Sequence, residues 1–201
     1  PRTEDEVLSI YEFLVKRFGH ESILLLKGDT AVRNTFLYDI LRNPKFVLVH
    51  FSGHGGFENR RGYFSFHDGK VFSFHARFLR GNPLFFANAC YSAKILSEGN
   101  AEEFVCDMAT AFVRHGILGY IGNLWTIKDE IAANFATEFY RRLFHGDDIG
   151  TALKKTKIKF YRENSRENFD WLGIILFGDP RRRFALTSVS YTHLRAHETS
   201  L

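Results

Sequence analysis

Apolar residues recur at helical spacing, three or four positions apart, in four segments of this chain. In the third segment, for example, Phe135 and Phe139 fall on one face of a helix. A shorter helix is predicted to begin after Thr30 as its N-cap and to end before Pro44. The four main helices are predicted at residues 4–18, 101–115, 129–144 and 148–163.

Between the predicted helices lie five short runs that are apolar throughout, without alternation. Continuous apolar runs separated by helices indicate a parallel sheet that is covered on both faces. We therefore expect one α/β domain, without internal repeats or linkers. The five strands are predicted at residues 23–27, 46–51, 84–89, 117–122 and 171–177.

One segment has a different pattern of apolar and polar residues. YFSFHDGKVFSF, residues 63–74, alternates apolar and polar positions around Asp68 and Gly69. An Asp-Gly pair between alternating segments is a strong hairpin signal. We expect this hairpin to lie outside the main sheet.

The composition indicates a folded, globular domain. The chain has 201 residues, of which 22 are Phe and a quarter are charged, which fits a packed domain and argues against disorder. The net charge of +4 lies partly in runs such as 181–183, which contain no aromatic residues. Such runs are typical of solvated ends, so we expect no direct nucleic-acid binding.

Cysteine content and hydropathy suggest a compartment. The only cysteines are Cys90 and Cys106, which form no disulfide framework and favour a reducing, cytoplasmic location. No apolar run approaches the roughly 20 residues that span a bilayer, so we expect no membrane association. We expect no signal peptide before the first helix.

The final stretch, SVSYTHLRAHETSL from Ser188 onward, has no periodicity and no apolar face. It resembles the translation of a sequencing adapter or vector, so residues 187–201 are predicted to be a non-native tail outside the fold. His193 and His197 are therefore not considered as ligands. The domain is expected to cover residues 1–186 and, since no initiator Met is present, to be an N-terminally truncated piece of a longer protein.

Two predicted strands end in residues that can carry chemistry. HFSGHGG, residues 50–56, contains His54, and LFFANAC, residues 84–90, ends on Cys90. In open α/β sheets, sites form beyond the carboxyl ends of the strands, and neighbouring strands lie about 4.8 Å apart. If the two strands are neighbours, the imidazole can take the proton of the thiol, which attacks only as a thiolate.

The small residues around this pair have a mechanistic interpretation. Gly55 and Gly56 let the backbone come close to a substrate carbonyl. The N–H groups of Gly55 and Cys90 could then bind a developing oxyanion. The sulfur of Cys90 stays accessible because its neighbours Ala89, Ser92 and Ala93 are small.

Four motifs in one order resemble a known family. HFSGHGG, LFFANAC, GYIGNLWTIKDE and WLGIILFGDP are similar to motifs of the CHAT domain, a caspase-like peptidase family related to separase in clan CD. The resemblance covers residues 23–180. It implies a caspase-like αβα sandwich of three layers with a mostly parallel sheet. The first strand of that sheet is expected to be missing, because residues 4–18 match the helix that would follow it.

The resemblance implies cysteine endopeptidase chemistry without a cofactor or metal. His54 would be the general base and Cys90 the nucleophile, with water resolving the acyl-enzyme. Asp129 matches the acidic position that binds a basic P1 side chain in the separase branch, which implies cleavage after Arg or Lys. Tyr91 and Ser92 depart from the acidic or Thr residue that many members have after the Cys.

The implied partners are a polypeptide substrate and upstream repeat or sensor modules, fused or bound, that regulate the domain. Two alternatives stay open. The chain could be a catalytically silent interaction module of a signalling or defence protein on the same fold. It could also be another Cys-dependent α/β hydrolase or amidotransferase, although those folds tend to have the Cys upstream of the His.

Other candidate residues have structural interpretations. An acidic residue such as Asp129 is favourable in a first helical turn without any substrate. His50 is expected in the core or on a sheet face and His67 in the hairpin turn, whereas His75 could approach the site. A zinc site built from His50, His54, His75 and Cys90 matches no metal-ligand spacing.

Four further positions are interpreted as structural. Cys106 lies within a predicted helix and is expected to pack there. Trp125 is expected in the core. Asn88 and Asn123, near the ends of adjacent strands, are expected to stabilise loops.

Overall fold

The computed structural model describes residues 2–93, 107–164, 169–184 and 190–195. Its α-helices are α1 (Arg2–Phe18), α2 (Met108–Arg114), α3 (Asp129–Leu143) and α4 (Ile149–Asn164). Its strands are β1 (Ile23–Leu26), β2 (Phe46–Gly53), β3 (Gly55–Glu58), β4 (Arg61–Phe66), β5 (Gly69–Phe72), β6 (Leu84–Ala89), β7 (Gly119–Asn123), β8 (Ile174–Gly178) and β9 (Ser190–Arg195).

The main sheet has six strands in the order β1-β9-β2-β6-β7-β8. All neighbouring pairs are parallel except β7 and β8, so the predicted mostly parallel sheet is confirmed. Both faces are buried, which explains the continuous apolar runs. Along β6, for example, Phe85 packs into one core and Phe86 into the other.

Three layers result from this packing. Helices α1, α3 and α4 contribute Ile10, Phe135 and Leu153 to the core on one face of the sheet. On the other face lie α2, a short helix at Thr35–Ile40 and the small sheet β3-β4-β5. No helix within the described residues is long and apolar enough to cross a bilayer.

The small sheet holds the loop after β2 in position. The predicted hairpin is confirmed as β4 and β5, outside the main sheet; its turn residues are His67 and Asp68, and Gly69 begins β5. β3, which was not predicted, pairs with β4 directly after His54. Phe64 of β4 stacks on Phe51 of β2 with ring centroids 4.3 Å apart. The N–H of Ser65 donates to the carbonyl of His54 at 2.9 Å.

Two predicted elements differ from the structure. The helix expected after Thr30 is only a short π-helical segment at Thr35–Ile40. The Thr30 hydroxyl donates instead to the carbonyl of Lys27 and accepts from its N–H, closing the turn Gly28–Thr30. The strand expected at 171–177 begins only at Ile174, after the 3₁₀ turn Asp170–Gly173, and it is antiparallel to its neighbour β7.

The helix predicted at residues 101–115 lies only partly within the described residues. Residues 94–106, including Cys106, lie outside the described residues. The remainder is α2, whose N-cap is Asp107: its carboxylate accepts from the N–H of Thr110 at 2.7 Å. Met108 and Phe112 are buried, as the apolar spacing predicted.

The backbone of Ser190–Arg195, which the sequence analysis set aside, forms a strand of the main sheet. As β9, this segment pairs in parallel with β1 on one side and β2 on the other. Unpaired strand edges accept any extended segment, because ladder hydrogen bonds come from the backbone and need no apolar pattern. That residues 187–201 are not native to the protein stays a prediction.

Candidate functional site

The predicted site lies where β2 and β6 end together. Gly53, the last residue of β2, is the register partner of Ala89, the last residue of β6. His54 and Cys90 follow directly, and all four residues line one cavity. His54 is exposed and Cys90 is half-buried. The structure thus brings the two residues to one site, as the strand ends predicted.

Gly55 passes very close to Cys90. A Cβ on Gly55 would lie 3.0 Å from the carbonyl oxygen of Cys90 and 3.1 Å from the Cβ of Ala89. A side chain here would need these neighbours to give by a few tenths of an ångström, and the Cys90 carbonyl belongs to the backbone. A Cβ on Gly56 would instead meet the hydroxyl and ring of Tyr63, at 2.9 Å and 3.1 Å. The backbone at Gly55 therefore does pass close to the Cys90 turn, as the sequence suggested.

The turn that carries Cys90 is fastened to the neighbouring strand through Ser92. The Ser92 hydroxyl donates to the carbonyl of Ala87 at 2.8 Å and accepts from the N–H of Asn123 at 2.9 Å. The hydroxyl of Tyr120 donates to the Ser92 carbonyl at 2.8 Å. Complete burial raises the pKa of Tyr120 well above its usual value, so this hydroxyl keeps its proton.

Tyr91 adopts a left-handed backbone conformation, with φ of 56°, between Cys90 and Ser92. Such a conformation is uncommon for a residue other than glycine, and it persists only where the surroundings fix it. The hydrogen bonds of Ser92 supply that restraint. Tyr91 and Ser92, which depart from the family pattern, therefore form a turn that the hydrogen bonds of Ser92 stabilise.

A buried carboxylate lies in the cavity wall. Glu6 of α1 is 1% exposed and lines the cavity together with Ser52 and Asn88. The hydroxyl of Ser52 donates to Glu6 Oε2 at 2.8 Å, and Asn88 Nδ2 donates to Glu6 Oε1 at 2.6 Å. The sequence analysis missed Glu6. A signal was present, because position 6 precedes Ile10 by four residues and so shares the buried face of the helix.

Asp129 reaches the same cavity from another side. It is the exposed first residue of α3 and lines the cavity with Thr126 and Ile127. Its place in the first helical turn is also favourable against the helix dipole. The cavity has a volume of about 110 Å³, well below the roughly 300–1,000 Å³ of small-molecule sites. A space of that size suits one side chain of a larger ligand.

His50, His67 and His75 do not line this cavity, but the Nε2 of His50 lies 3.4 Å from Glu6 Oε1 in its wall. His50 is fully buried, as expected, with Nδ1 2.9 Å from the hydroxyl of Tyr140. His67 is exposed in the hairpin turn, as expected. His75 accepts at Nδ1 from the N–H of Phe72 and packs against Phe74, and burial lowers its pKa. Within the described ranges, no group of three or more His, Cys, Asp or Glu residues could hold a metal ion.

Two further expectations need correction. Trp125 is not a core residue: it is 40% exposed, and its ring covers the backbone of Gly173. Asn88 and Asn123 do more than stabilise loops, because both are buried in the cavity wall and Asn123 Nδ2 donates to Asn88 Oδ1 at 2.9 Å.

Comparison with known proteins adds a family and a fold. The family model of the CHAT domain matches residues 1–179. Among curated proteins, none matches this sequence. The fold is similar to the crystal structure of the Arg specific cysteine proteinase gingipain R, with a TM-score of 0.68 and 16% sequence identity. The match covers 88% of this chain but 41% of that one, and it confirms the caspase-like fold class.

Proposed function

This chain belongs to the CHAT-domain family, and we propose that it is a cysteine endopeptidase with Cys90 as nucleophile and His54 as general base. The observation that carries the proposal is the register of β2 and β6. Because Gly53 pairs with Ala89, the next residues, His54 and Cys90, border the same cavity. A thiol beside an imidazole, at the carboxyl ends of adjacent parallel strands, suits covalent catalysis.

In the proposed reaction, His54 takes the proton of the Cys90 thiol, and the thiolate attacks the scissile carbonyl carbon. The N–H groups of Gly55 and Cys90 stabilise the oxyanion that develops on the carbonyl oxygen. The His54 imidazolium then gives its proton to the leaving amine, and the C–N bond breaks. Water, activated by His54, hydrolyses the thioester and releases the acid product and the free thiol.

The proposal includes a preference for Arg or Lys at P1. Asp129 lines the cavity next to Cys90 and supplies negative charge there. The volume of about 110 Å³ suits a single side chain. The structural relative is described as Arg specific, which agrees with this direction.

The proposed setting is a reducing, cytoplasmic one, because Cys90 must remain a free thiol to act as a nucleophile. The proposed substrate is a polypeptide. Regulation is proposed to come from upstream repeat or sensor modules, fused or bound, that control access to the cavity.

The test of the proposal is cleavage of a peptide library by the wild-type chain, Cys90→Ala and His54→Ala. We expect each substitution to lower the cleavage rate by a factor on the order of 10⁴ or more, as for other catalytic nucleophile and base pairs. Thermal unfolding should change little, because Cys90 is half-buried and His54 is exposed. Cleavage that survives Cys90→Ala would contradict the proposal. A folded chain without Cys90-dependent cleavage would favour the silent interaction module.

A further inference from the structure

Three arginines lie over aromatic rings on the side of the main sheet that carries the small sheet β3-β4-β5. They come from separate parts of the chain, namely the first residue of β4, the 3₁₀ turn Ser73–Phe78 after β5, and the segment that follows the helix Thr35–Ile40. For this reason no run of like charges in the sequence predicts the cluster. The arginine–aromatic patch, as we name it, consists of Tyr38, Arg42, Arg61, Phe74, Arg77 and Phe78.

The rings hold the guanidinium groups in place by cation–π contacts. Arg61 Cζ lies 5.4 Å from the centroid of the Phe74 ring, and Arg77 Cζ lies 5.9 Å from the same centroid. Arg77 Cζ also lies 5.2 Å from the centroid of the Phe78 ring, which Arg42 Cζ approaches to 6.0 Å. A cation within about 6 Å of a ring centroid is attracted to the ring. Because the rings limit their rotamers, these arginines lose less conformational entropy than unrestrained ones when they bind an anion.

No described carboxylate neutralises the three arginines of the patch. Their guanidinium groups form no ion pair or hydrogen bond with any described residue. Basic residues elsewhere differ, since Arg141 pairs with Glu138 and Lys70 of β5 pairs with Glu58. Asp39, which neighbours the patch in sequence, forms no ion pair with it. The patch therefore presents positive charge that the described part of the chain leaves unbalanced.

The composition of the patch favours a protein partner. Arginine and aromatic residues are enriched where proteins bind one another, whereas lysine and acidic residues are depleted. The rings are partly accessible, with Tyr38 50% and Phe74 39% exposed. Carboxylates match the planar guanidinium group with paired acceptors. Single-stranded nucleic acid would instead need free ring faces on which its bases stack, and guanidinium groups already lie over these rings.

We propose that the arginine–aromatic patch is the docking site for an acidic segment of a partner protein. The three guanidinium groups donate to the Asp and Glu carboxylates of that segment, and the rings keep the guanidinium groups in position. No residue of the patch lines the cavity beside Cys90, so the inference concerns a second surface and goes beyond the proposed function.

The test measures the binding of two peptides that share a length and a shape and differ in charge. Fluorescein-labelled oligoglutamate supplies the carboxylates, and oligoglutamine of the same length is its neutral isostere. Binding to the full chain is followed by fluorescence anisotropy at low ionic strength, where exposed charges are least screened. We expect wild-type protein to bind oligoglutamate about tenfold more tightly than oligoglutamine.

Three variants locate the binding. Arg77→Gln removes the guanidinium that two rings share, and we expect it to lower oligoglutamate affinity about fivefold. Phe74→Leu keeps every charge but removes the ring beneath two guanidinium groups, and it should lower the affinity about threefold. The control Arg162→Gln removes an equal charge from an exposed position of α4, across the main sheet, and should change the affinity less than about twofold. Thermal unfolding should change little, because all three replaced residues are exposed.

Several outcomes would overturn the inference. One is equal affinity of wild-type protein for the two peptides. Another is an equal loss in Arg77→Gln and Arg162→Gln, which would reflect net charge alone. Unchanged affinity in Phe74→Leu would contradict the role of the ring. Tighter binding of single-stranded oligouridine than of oligoglutamate, weakened by the same variants, would reject a protein partner in favour of nucleic acid. None of these measurements involves cleavage, so their results stand independently of the proposed peptidase activity.

Discussion

Gly53, at the end of β2, stands opposite Ala89, at the end of β6, in the parallel register of the main sheet. This pairing sets His54 and Cys90 side by side at the carboxyl ends of two adjacent strands. The small sheet β3-β4-β5 then fixes the loop on the His54 side, through the bond from Ser65 to the His54 carbonyl. Ser92 fixes the turn on the Cys90 side.

The proposed oxyanion hole depends on the absence of a side chain at Gly55. In Gly55→Ala the new methyl group would lie 3.0 Å from the Cys90 carbonyl oxygen, so the backbone must shift. We expect kcat/KM for peptide cleavage to fall about 10²-fold, the usual effect of losing one oxyanion donor. The matched variant Gly56→Ala meets the Tyr63 hydroxyl instead, which can move. A loss in Gly56→Ala as large as in Gly55→Ala would argue against the backbone explanation.

The turn at Cys90 should owe measurable stability to the Ser92 hydroxyl. Ser92→Ala removes two buried hydrogen bonds, so the carbonyl of Ala87 and the N–H of Asn123 each lose the Ser92 hydroxyl as a partner. We expect the free energy of unfolding, measured with urea, to fall by about 1–3 kcal/mol. Ser73→Ala is the control, because Ser73 is equally buried and its hydroxyl has no partner among the described residues. That change should be neutral or stabilising, and equal losses would refute the account.

We expect Asp129 to contribute to substrate binding and not only to the stability of α3. In Asp129→Asn we expect kcat/KM for peptides with arginine at P1 to fall about tenfold or more, while peptides with neutral P1 residues change little. Glu130→Gln neutralises the next carboxylate in the same helical turn, which is outside the cavity lining. Both variants lose a similar dipole interaction. A wild-type preference for acidic P1 residues would reject the role of Asp129.

Stability at low pH should depend on Glu138, which joins α3 to α4. Burial opposes its ionisation, but hydrogen bonds from Arg141 and Lys159 and the charge of Arg142 lower the pKa of Glu138 from 4.5 to about 2. Its contribution is therefore complete above pH 4.5 and is lost as the pH falls toward 2. We expect Glu138→Gln to cost about 1–2 kcal/mol at pH 7, since solvent screens the exposed partners.

Urea unfolding at several pH values checks this expectation. The difference between wild-type protein and Glu138→Gln should shrink toward zero near pH 2. Glu163→Gln, at an exposed position of α4, should show no such trend. A difference that stays constant between pH 7 and pH 2 would show that charge is not the cause.

The sequence predicted the strand ends because the physics there is local. A buried parallel strand must be apolar throughout, so a His or Cys just beyond its end is conspicuous, and carboxyl ends of parallel strands share one edge. The hairpin β4-β5 was predictable for a similar reason, since the Asp68-Gly69 signal at its turn spans only two residues.

The features that the sequence did not predict depend on contacts between residues far apart along the chain. Glu6 looked like one more charged residue of an amphipathic helix, and only the packing of α1 shows its carboxylate bonded to Ser52 and Asn88. The direction of β8 is not encoded in its apolar run, because an apolar strand fits either orientation. β9 pairs with β1 and β2 through backbone groups that every residue carries, so no side-chain pattern predicts this pairing.

The central claim is that Cys90 is a nucleophile activated by His54. A peptidyl acyloxymethyl ketone with arginine at P1, followed by intact mass and peptide mapping, tests it most directly. The account predicts one adduct, on Cys90 and not on Cys106, that is absent in Cys90→Ala and forms at least 10²-fold more slowly in His54→Ala. Failure to modify Cys90, or an equal rate of modification without His54, would contradict the account.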